Sequence, residues 1–531
     1  MNLFGIRSGS GGELLSMAHP AKDKVYRALF SLAGIVLIAM MVFSTGIPHA
    51  RASSNDPVGV ATGDAKDIST GDTANASVSE LTDTVDHTKV SLNFVWMLIA
   101  GFLVMFMQAG FAMVETGFTR AKNANHTMLM NFLIYAIGII GFWGIGFALM
   151  FGGVGPLGTL GGGDVLGNEL TLNIFGKSFG IIGYKGFFLS GVTYDAAIFA
   201  FFLFQMVFMD TAATIPTGAM AERWKFSAFV IYGFFVSIIL YPLIGNWVWG
   251  GGWLSQLGRN FGFGNGAVDF AGSGVVHMVG GICGLAGAKI IGARIGKYNS
   301  NGTANAIPGH NIPMAIIGTL ILAFGWFGFN AGSTLAGYDL RIGVVAANTM
   351  LASAAGAFVA VTYMWIRYKK PDPSMAANGM LAGLVGITAP AAFVNAVSAI
   401  IIGGVAGLIV CASVFFIERR LKVDDPVGAV SVHGVCGAWG LISVGLFADG
   451  TYGAGLNGVD SAVRGLFYGN PPQLYAQLID VAVIFLVVYG LSYGFFKLVD
   501  VMIGMRVSPK AEVQGLDLPE VGALAYPRDS I

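Results

Sequence analysis

Long apolar runs dominate the chain after residue 90 and alternate with short polar loops. A helix that crosses a bilayer needs about 20 mostly apolar residues. This pattern predicts an all-α integral membrane protein with eleven transmembrane helices. The predicted bounds are 91–116, 127–152, 195–219, 227–250, 270–292, 311–333, 342–367, 374–391, 394–417, 429–449 and 474–503.

The composition supports a chain that exposes most of its surface to lipid. Hydrophobic residues make up 55% of it and charged residues only 11%, whereas soluble domains carry about 25% charged residues. The 78 glycines suit closely packed membrane helices. Because the net charge is zero, charge does not indicate a nucleic acid partner, and we expect none.

The N-terminal region has the pattern of an export signal. Lys22, Lys24 and Arg27 precede an apolar run at 28–46, and Ala-Arg-Ala follows at 50–52. A charged segment, an apolar segment and a small-residue cleavage site predict a signal peptide over 1–52. An uncleaved first membrane helix is the alternative. Residues 53–89 are polar and we expect a flexible extracytoplasmic segment there.

Basic residues are distributed unevenly among the loops, and this predicts the orientation. Loops after odd-numbered spans carry twelve Lys and Arg, against five after even-numbered spans. Cytoplasmic loops are enriched in these residues. We therefore expect the transmembrane domain (90–503) to begin outside and the tail (504–531) to lie in the cytoplasm, with the protein in the cytoplasmic membrane.

An internal repeat relates the fifth and tenth spans. DFAGSGVVH at 269–277 and DPVGAVSVH at 425–433 share Asp, Gly and His at one spacing, and Gly281 recurs as Gly437. Five spans separate the two copies, so they have opposite orientations. Inverted five-helix repeats place a functional site near the bilayer midplane. A chance match between two Gly-rich helices is the alternative.

The repeat brings two buried histidines to equivalent positions. Of seven histidines in the chain, His277 and His433 are those deep within apolar spans. Ionisable groups in a membrane usually face a cavity or each other, so the two can share a hydrogen bond and line a pore. Alternatively, each is a core histidine bonded to a backbone carbonyl. Two histidines supply too few metal ligands, and we expect neither a metal nor a cofactor.

Six segments, in order, resemble the ammonium transporter family, which includes the Rhesus-type channels. The resemblance covers about residues 90–526. It implies a homotrimer of eleven-span subunits, each with its own pore for ammonium or ammonia, and with methylammonium as a substrate analogue. The segments are RAKN (120–123), GAMAERWKFSA (218–228), NWVWGGG (246–252), DFAGSGVVH (269–277), GWFGFNAGS (325–333) and VDDPVGAVSVHGVCGAWG (423–440).

The resemblance also implies roles for eight residues. They are Trp249 and Ser333 in an outer recruitment site, Phe208 and Phe329 in a stacked gate, Trp326, His277 and His433 in the pore, and Asp269 as a buried support of the recruitment region. Without the resemblance, the aromatic residues would be interpreted as ordinary packing. Asp269 would then be a cap of its helix.

These residue types suit the chemistry of ammonium. An indole attracts a cation by roughly 0.5–2 kcal/mol, and a serine hydroxyl accepts an N–H bond. Imidazole both donates and accepts protons, so two histidines can relay the proton that ammonia leaves behind. Potassium has no proton to lose.

Some features are left open by the sequence. Glu115 and Asp210 are acidic residues inside spans, and Asp210 either assists cation entry or bonds between helices. The tail resembles a segment that in the family helps regulation by a PII-type protein, but Val-Gly-Ala at 521–523 replaces the usual His-Gly-Glu. The alternative functions are an ammonium sensor, a neutral gas channel and an intramembrane enzyme, the last lacking a nucleophile–base pair.

Overall fold

The computed structural model of the protein describes residues 77–152, 169–451, 459 and 461–526. The predicted signal peptide lies outside them. Within these residues, ten helices are long and apolar enough to cross a membrane. With the shorter α8, the helices are α1 (Val78–Phe118), α2 (Ala121–Phe151), α3 (Ala196–Ala219), α4 (Phe226–Val248), α5 (Ser273–Ile291), α6 (Ile312–Thr334), α7 (Arg341–Tyr368), α8 (Pro373–Thr388), α9 (Ala396–Leu421), α10 (Val430–Phe447) and α11 (Pro471–Ile503).

The helix α8 is shorter than its predicted span, 374–391. Its 16 residues extend about 24 Å at ~1.5 Å each, less than the ~30 Å of a hydrocarbon core. The helix ends because its last carbonyls bond elsewhere. Phe270 N–H donates to the Ala389 carbonyl and Ala271 N–H to the Thr388 carbonyl, both at 3.2 Å. The end of α8 is thereby joined to the segment that enters α5.

The helix α1 begins within the segment that the sequence predicts to be flexible. Ser77 accepts a hydrogen bond from Glu80 N–H at 3.2 Å, and the Glu80 carboxylate accepts one from Ser77 N–H at 2.7 Å. This capping box satisfies two N–H groups that a helix start otherwise leaves unpaired. The helical region therefore extends from Val78, and the boundary expected near residue 90 falls inside α1.

A β-hairpin between α2 and α3 departs from the all-α prediction. Strands β1 (Glu169–Ile174) and β2 (Lys177–Gly183) pair antiparallel. The turn residues Phe175 and Gly176 have φ of 53° and 74°, as a two-residue hairpin turn of right-handed twist requires. Alternation of Leu170, Leu172 and Ile174 with polar residues was the available sequence signal.

The tail packs against the loops that follow α1, α3 and α5. Lys122 Nζ donates to the Glu512 carbonyl at 2.7 Å, and Ile295 N–H donates to the Glu512 carboxylate at 2.7 Å. Glu520 accepts from Phe226 N–H, at the start of α4, at 2.9 Å. The loops after α1, α3 and α5 thus share one face of the protein with the tail.

Candidate functional site

The helices α5 and α10 begin in the same way, so the sequence repeat recurs in local structure. Each starts with a six-residue π-helical segment after a glycine of positive φ, 111° at Gly272 and 81° at Gly428. The Asp425 carboxylate accepts from the N–H groups of Gly428 and Val430, at 3.1 and 2.7 Å. The Asp269 carboxylate accepts from four N–H groups at 2.8–2.9 Å, those of Gly272, Ser273, Gly274 and Val275.

Reciprocal glycine contacts hold α5 and α10 together. A Cβ added to Gly281 would lie 2.1 Å from the Gly434 nitrogen, and one added to Gly437 would lie 2.9 Å from the Met278 nitrogen. In the repeat, Gly281 corresponds to Gly437 and Met278 to Gly434, so the second contact is the symmetry equivalent of the first. Such a pair of equivalent contacts is expected when two helices are related by a two-fold axis. The glycines allow the two backbones to approach closely.

This approach brings the two predicted histidines into direct contact. Nδ1 of His277 lies 3.1 Å from Nδ1 of His433, with the ring centroids 5.2 Å apart and the planes 23° from parallel. One Nδ1 must donate and the other accept, so the two neutral rings are opposite tautomers. Among the described residues, Nε2 of His277 is buried without a partner. That nitrogen is available to a small polar molecule.

A stack of aromatic rings continues from His277. The Trp326 ring lies 5.2 Å from that of His277 at 18°, and its N–H donates to Thr388 Oγ1 at 2.9 Å. Phe329 lies 5.3 Å from His277 and 4.1 Å from Phe208, the two phenyl rings being 24° from parallel. Rings this close leave no path for a hydrated ion without displacement. The four residues come from α3, α5 and α6.

Trp249 meets the far side of Phe208. Its ring centroid is 6.1 Å from that of Phe208 at 74°, and its N–H donates to the Asp269 carbonyl at 2.7 Å. Trp249 and Asp269 line a cavity of about 270 Å³ that also contacts Arg259. Because the N–H is occupied, the indole offers its ring rather than its hydrogen to a ligand there.

Ser333 joins the site separately, through Phe329. Its hydroxyl is buried and donates to the Phe329 carbonyl at 2.8 Å, which leaves the oxygen lone pairs free to accept an N–H bond. The structure therefore links Trp249 to the stack through Phe208 and Ser333 through Phe329.

The electrostatics of Asp269 reflect two opposed effects. Burial raises the pKa of its carboxyl group, and the four backbone N–H donors counteract this by stabilising the carboxylate. Asp269 makes two kinds of contact. It caps α5, and it fixes the Trp249 indole through its own carbonyl.

The opposite side of His433 contains residues to which sequence reasoning assigned no role. The Phe111 ring lies 6.0 Å from the His433 ring at 38°. Glu115, one turn later on α1, lines a second, small cavity with His433 and Asn378. The i, i+4 spacing of Phe111 and Glu115 was the available signal. Asp210 is buried on α3 and lines neither cavity.

None of the cysteines lines either of the two cavities described above. All three are buried and form no disulfide: Cys283, Cys411 and Cys436. Within the part of the chain that the structure describes, no three His, Cys, Asp or Glu side chains come together as a metal site requires.

Known proteins match this chain over most of its length. A model of the Ammonium Transporter Family matches residues 95–526. Ammonium transporter Amt2 of Archaeoglobus fulgidus is 46% identical over 458 residues, which cover 86% of this chain and 92% of that relative.

Solved structures show the same fold. A structure described as a sensor Amt protein has a TM-score of 0.70 and 36% identity, covering 82% of this chain and all of the other. Mep2 of Candida albicans has a TM-score of 0.67 and 27% identity, covering 82% and 90%. The family model and the Archaeoglobus relative both span far more than half of this sequence. The chain therefore belongs to the ammonium transporter family.

Proposed function

We propose that this protein moves ammonium or ammonia across a membrane through the ring stack from Trp249 to His433. The observation that carries the proposal is the 3.1 Å contact between the two buried histidine Nδ1 atoms. It lies at the end of an aromatic stack too tight for hydrated ions. Such a path suits a small neutral molecule that can hydrogen-bond to imidazole.

Recruitment takes place in the cavity at Trp249. The indole face attracts a cation by roughly 0.5–2 kcal/mol. The lone pairs of Ser333, which contacts Phe329 and does not line this cavity, accept an N–H bond farther along the path. Stripping ammonium of water in a low-dielectric site is costly unless such groups replace the water. Asp269, which caps α5, holds the indole in place through its backbone carbonyl, and its carboxylate adds negative potential near the cation.

Passage separates ammonia from its proton. The Phe208–Phe329 pair excludes hydrated ions, so ammonium leaves its proton on the outer side and ammonia continues as a neutral molecule. The histidine pair then acts as a relay for that proton. A proton arrives at Nε2 of the donor ring, the shared proton moves to the other Nδ1, and the Nε2 proton of the second ring leaves, so both rings stay neutral and exchange tautomers. Potassium cannot follow, since it neither loses a proton nor donates a hydrogen bond.

The same proposal includes the topology and assembly. Eleven spans, with α8 completing the crossing beside its neighbours, form inverted repeats with the N-terminus outside and the tail in the cytoplasm. The reciprocal contacts of α5 and α10 and the shared face of the basic loops support this arrangement. A homotrimer in the cytoplasmic membrane, with a PII-type partner at the tail, completes it. Sensing with little flux is not favoured, because relatives such as Amt2 are named as transporters.

The test uses purified protein in liposomes subjected to an ammonium jump, with current and internal pH recorded together. We predict that His277→Ala or His433→Ala lowers ammonium flux by roughly 10²-fold, as expected when a proton-transfer group is lost, or admits potassium. His126→Ala is the matched control, because His126 is also a buried histidine but lies outside the stack.

The two signals separate the modes of transport. A current that disappears in His277→Ala means that transport carries net charge and that the histidines relay the proton. Alkalinisation without current means a neutral ammonia channel. Unchanged flux and selectivity in both histidine variants would overturn the role of the histidines. The absence of both current and alkalinisation in the unmodified protein would overturn transport.

A further inference from the structure

Glu115 is a buried carboxylate beside the histidine pair. It lies on α1 with 2% of its surface exposed. It lines a cavity that His433 also lines but His277 does not. Among the described residues its charged neighbour is Asp425, another carboxylate, rather than a Lys or Arg. A buried carboxylate without a basic partner requires either a proton or a cation to be stable in a membrane.

The hydrogen bonds around Glu115 suit both of its protonation states. Asn131 Nδ2 donates to Oε2 at 2.7 Å. Thr217 Oγ lies 2.9 and 2.7 Å from the two carboxylate oxygens and 2.6 Å from the Thr214 carbonyl. The hydroxyl has one hydrogen. It donates to Glu115 when the carboxylate is ionised, and it donates to Thr214 while accepting from Glu115 when the carboxyl is protonated.

The cavity has the size of one small molecule. It leaves about 20 Å³ for the centre of a water-sized sphere, and ~10–15 Å³ is enough to hold a single water. Its walls are mainly apolar, with Glu115, Asn378 and His433 as the polar side chains. A molecule of the size of ammonia or ammonium therefore fits there, in contact with an acid and an imidazole.

We propose that Glu115 forms a second ammonium site, on the inner side of the histidine pair, and that it returns a proton to arriving ammonia. The site rests on the proposed function. The nitrogen lone pair of ammonia takes the proton of the Glu115 carboxyl group as the O–H bond breaks, which leaves an ammonium–carboxylate pair of zero net charge. Ammonium then leaves, and the carboxylate takes a proton from the inner aqueous phase.

The groups around the site support this exchange. His433 and Asp425 are the titratable groups that face or act on Glu115, and its polar neighbours are the side chains of Asn131 and Thr217 and the backbone N–H of Gly218. None supplies a fixed positive charge at neutral pH, since His433 is neutral within its shared hydrogen bond. The ammonium ion is therefore the counter-ion that an ionised Glu115 lacks.

The test is an infrared difference spectrum of the full-length protein in lipid, recorded on addition of ammonium chloride, beside liposome flux. We expect ammonium to reduce the C=O band of a protonated carboxyl, and potassium chloride to leave it unchanged. Glu115→Gln should lose this change and lower flux by about tenfold or more, while Glu115→Asp should restore part of both. Asp210→Asn is the matched control for the infrared signal, a buried acid outside the cavity that should retain the band change.

The outcomes distinguish this site from the transport function. A folded Glu115→Gln protein with the flux of the unmodified protein and the band change of Asp210→Asn would overturn the second site and leave transport intact. An ammonium-dependent band change without flux in the unmodified protein would support the site and overturn transport. If Glu115→Gln unfolds, the band change in the unmodified protein and in Glu115→Asp decides the question, and its absence from both would overturn the site.

Discussion

At the residue scale, Asp269 has the most demanding hydrogen-bond environment of the site, with four backbone donors around one carboxylate. We predict that Asp269→Asn destabilises the protein by roughly 3 kcal/mol or more, because the new amide group faces N–H donors and leaves them unpaired. Loss of the cap also loosens the backbone segment whose carbonyl at residue 269 accepts the Trp249 N–H, so flux should fall. Thermal unfolding in detergent and liposome flux measure the two effects.

The symmetry-related substitution provides the control for this prediction. The Asp425 carboxylate accepts from Gly428 N–H and Val430 N–H at 3.1 and 2.7 Å, with Ala429 N–H as a third donor, against four donors around Asp269. The oxygen of an asparagine at 425 can retain part of this smaller set. Asp425→Asn should therefore lower the unfolding temperature less than Asp269→Asn. Equal losses in the two variants would contradict the argument from hydrogen-bond number.

The sequence predicts some of these residues much better than others, for a physical reason. His277, His433 and Asp269 occur in a repeat, and a fixed offset in sequence becomes a symmetry relation in space. Thr388 and Phe111 follow no such pattern. Their contacts with Trp326 and His433 depend on how α8 and α1 are rotated against their neighbours, and apolar periodicity does not determine rotation in helices that are hydrophobic all round.

At the element scale, glycines set the distance between α5 and α10. We predict that Gly281→Ala separates the two helices, because the added Cβ would lie 2.1 Å from the Gly434 nitrogen, which is backbone and cannot move aside cheaply. Gly437→Ala should have the same effect through its contact at 2.4 Å with the Ser273 carbonyl. Both variants should lose transport and stability together, as measured by flux and thermal unfolding.

A glycine without neighbours gives the matched control. A Cβ added to Gly490, in α11, would meet nothing within 4 Å, and alanine is the better helix former by roughly 0.5–1 kcal/mol. Gly490→Ala should therefore keep its activity and its stability. A Gly281→Ala protein that behaved like Gly490→Ala would show that the close approach does not hold the histidines together.

The elements themselves were largely predictable, since lipid demands long apolar helices and their lengths are visible in the sequence. The differences occur where other interactions decide the ends. A capping box at Ser77 starts α1 early, and bonds to the α5 entry segment end α8 at Thr388. The β1–β2 hairpin lies between two spans, where the apolar pattern of membrane helices provides no information.

At the scale of the whole molecule, buried ion pairs join the loops on the tail face. Arg294 donates to both Asp424 oxygens at 2.8 and 2.9 Å and lies 3.4 Å from Glu222, which also pairs with Arg120. Arg223 donates to the Asp424 carbonyl at 2.7 Å. These residues come from the loops after α1, α3, α5 and α9, so one charged cluster joins four loops on the tail face.

Asp424 is the residue on which this cluster depends. Burial by itself would raise its pKa, but the bidentate bond from Arg294 and the charge of Arg223 hold the pKa well below its usual range. Burial lowers the pKa of Arg223 to about 10, so the guanidinium is still charged at neutral pH. We predict that Asp424→Asn destabilises the protein by roughly 3–5 kcal/mol, because it leaves buried guanidinium groups without their anion.

The pH dependence of that difference tests the cause. A carboxylate whose folded pKa is depressed stabilises the protein fully above its unfolded value of about 4 and loses this contribution as the pH falls further. The gap in unfolding temperature between the unmodified protein and Asp424→Asn should therefore be constant from about pH 7 to about pH 5 and shrink only below about pH 4. A gap that already shrinks between about pH 7 and about pH 5 would assign the effect to a group of higher pKa, and the stability of the tail face would then not depend on the Asp424 charge.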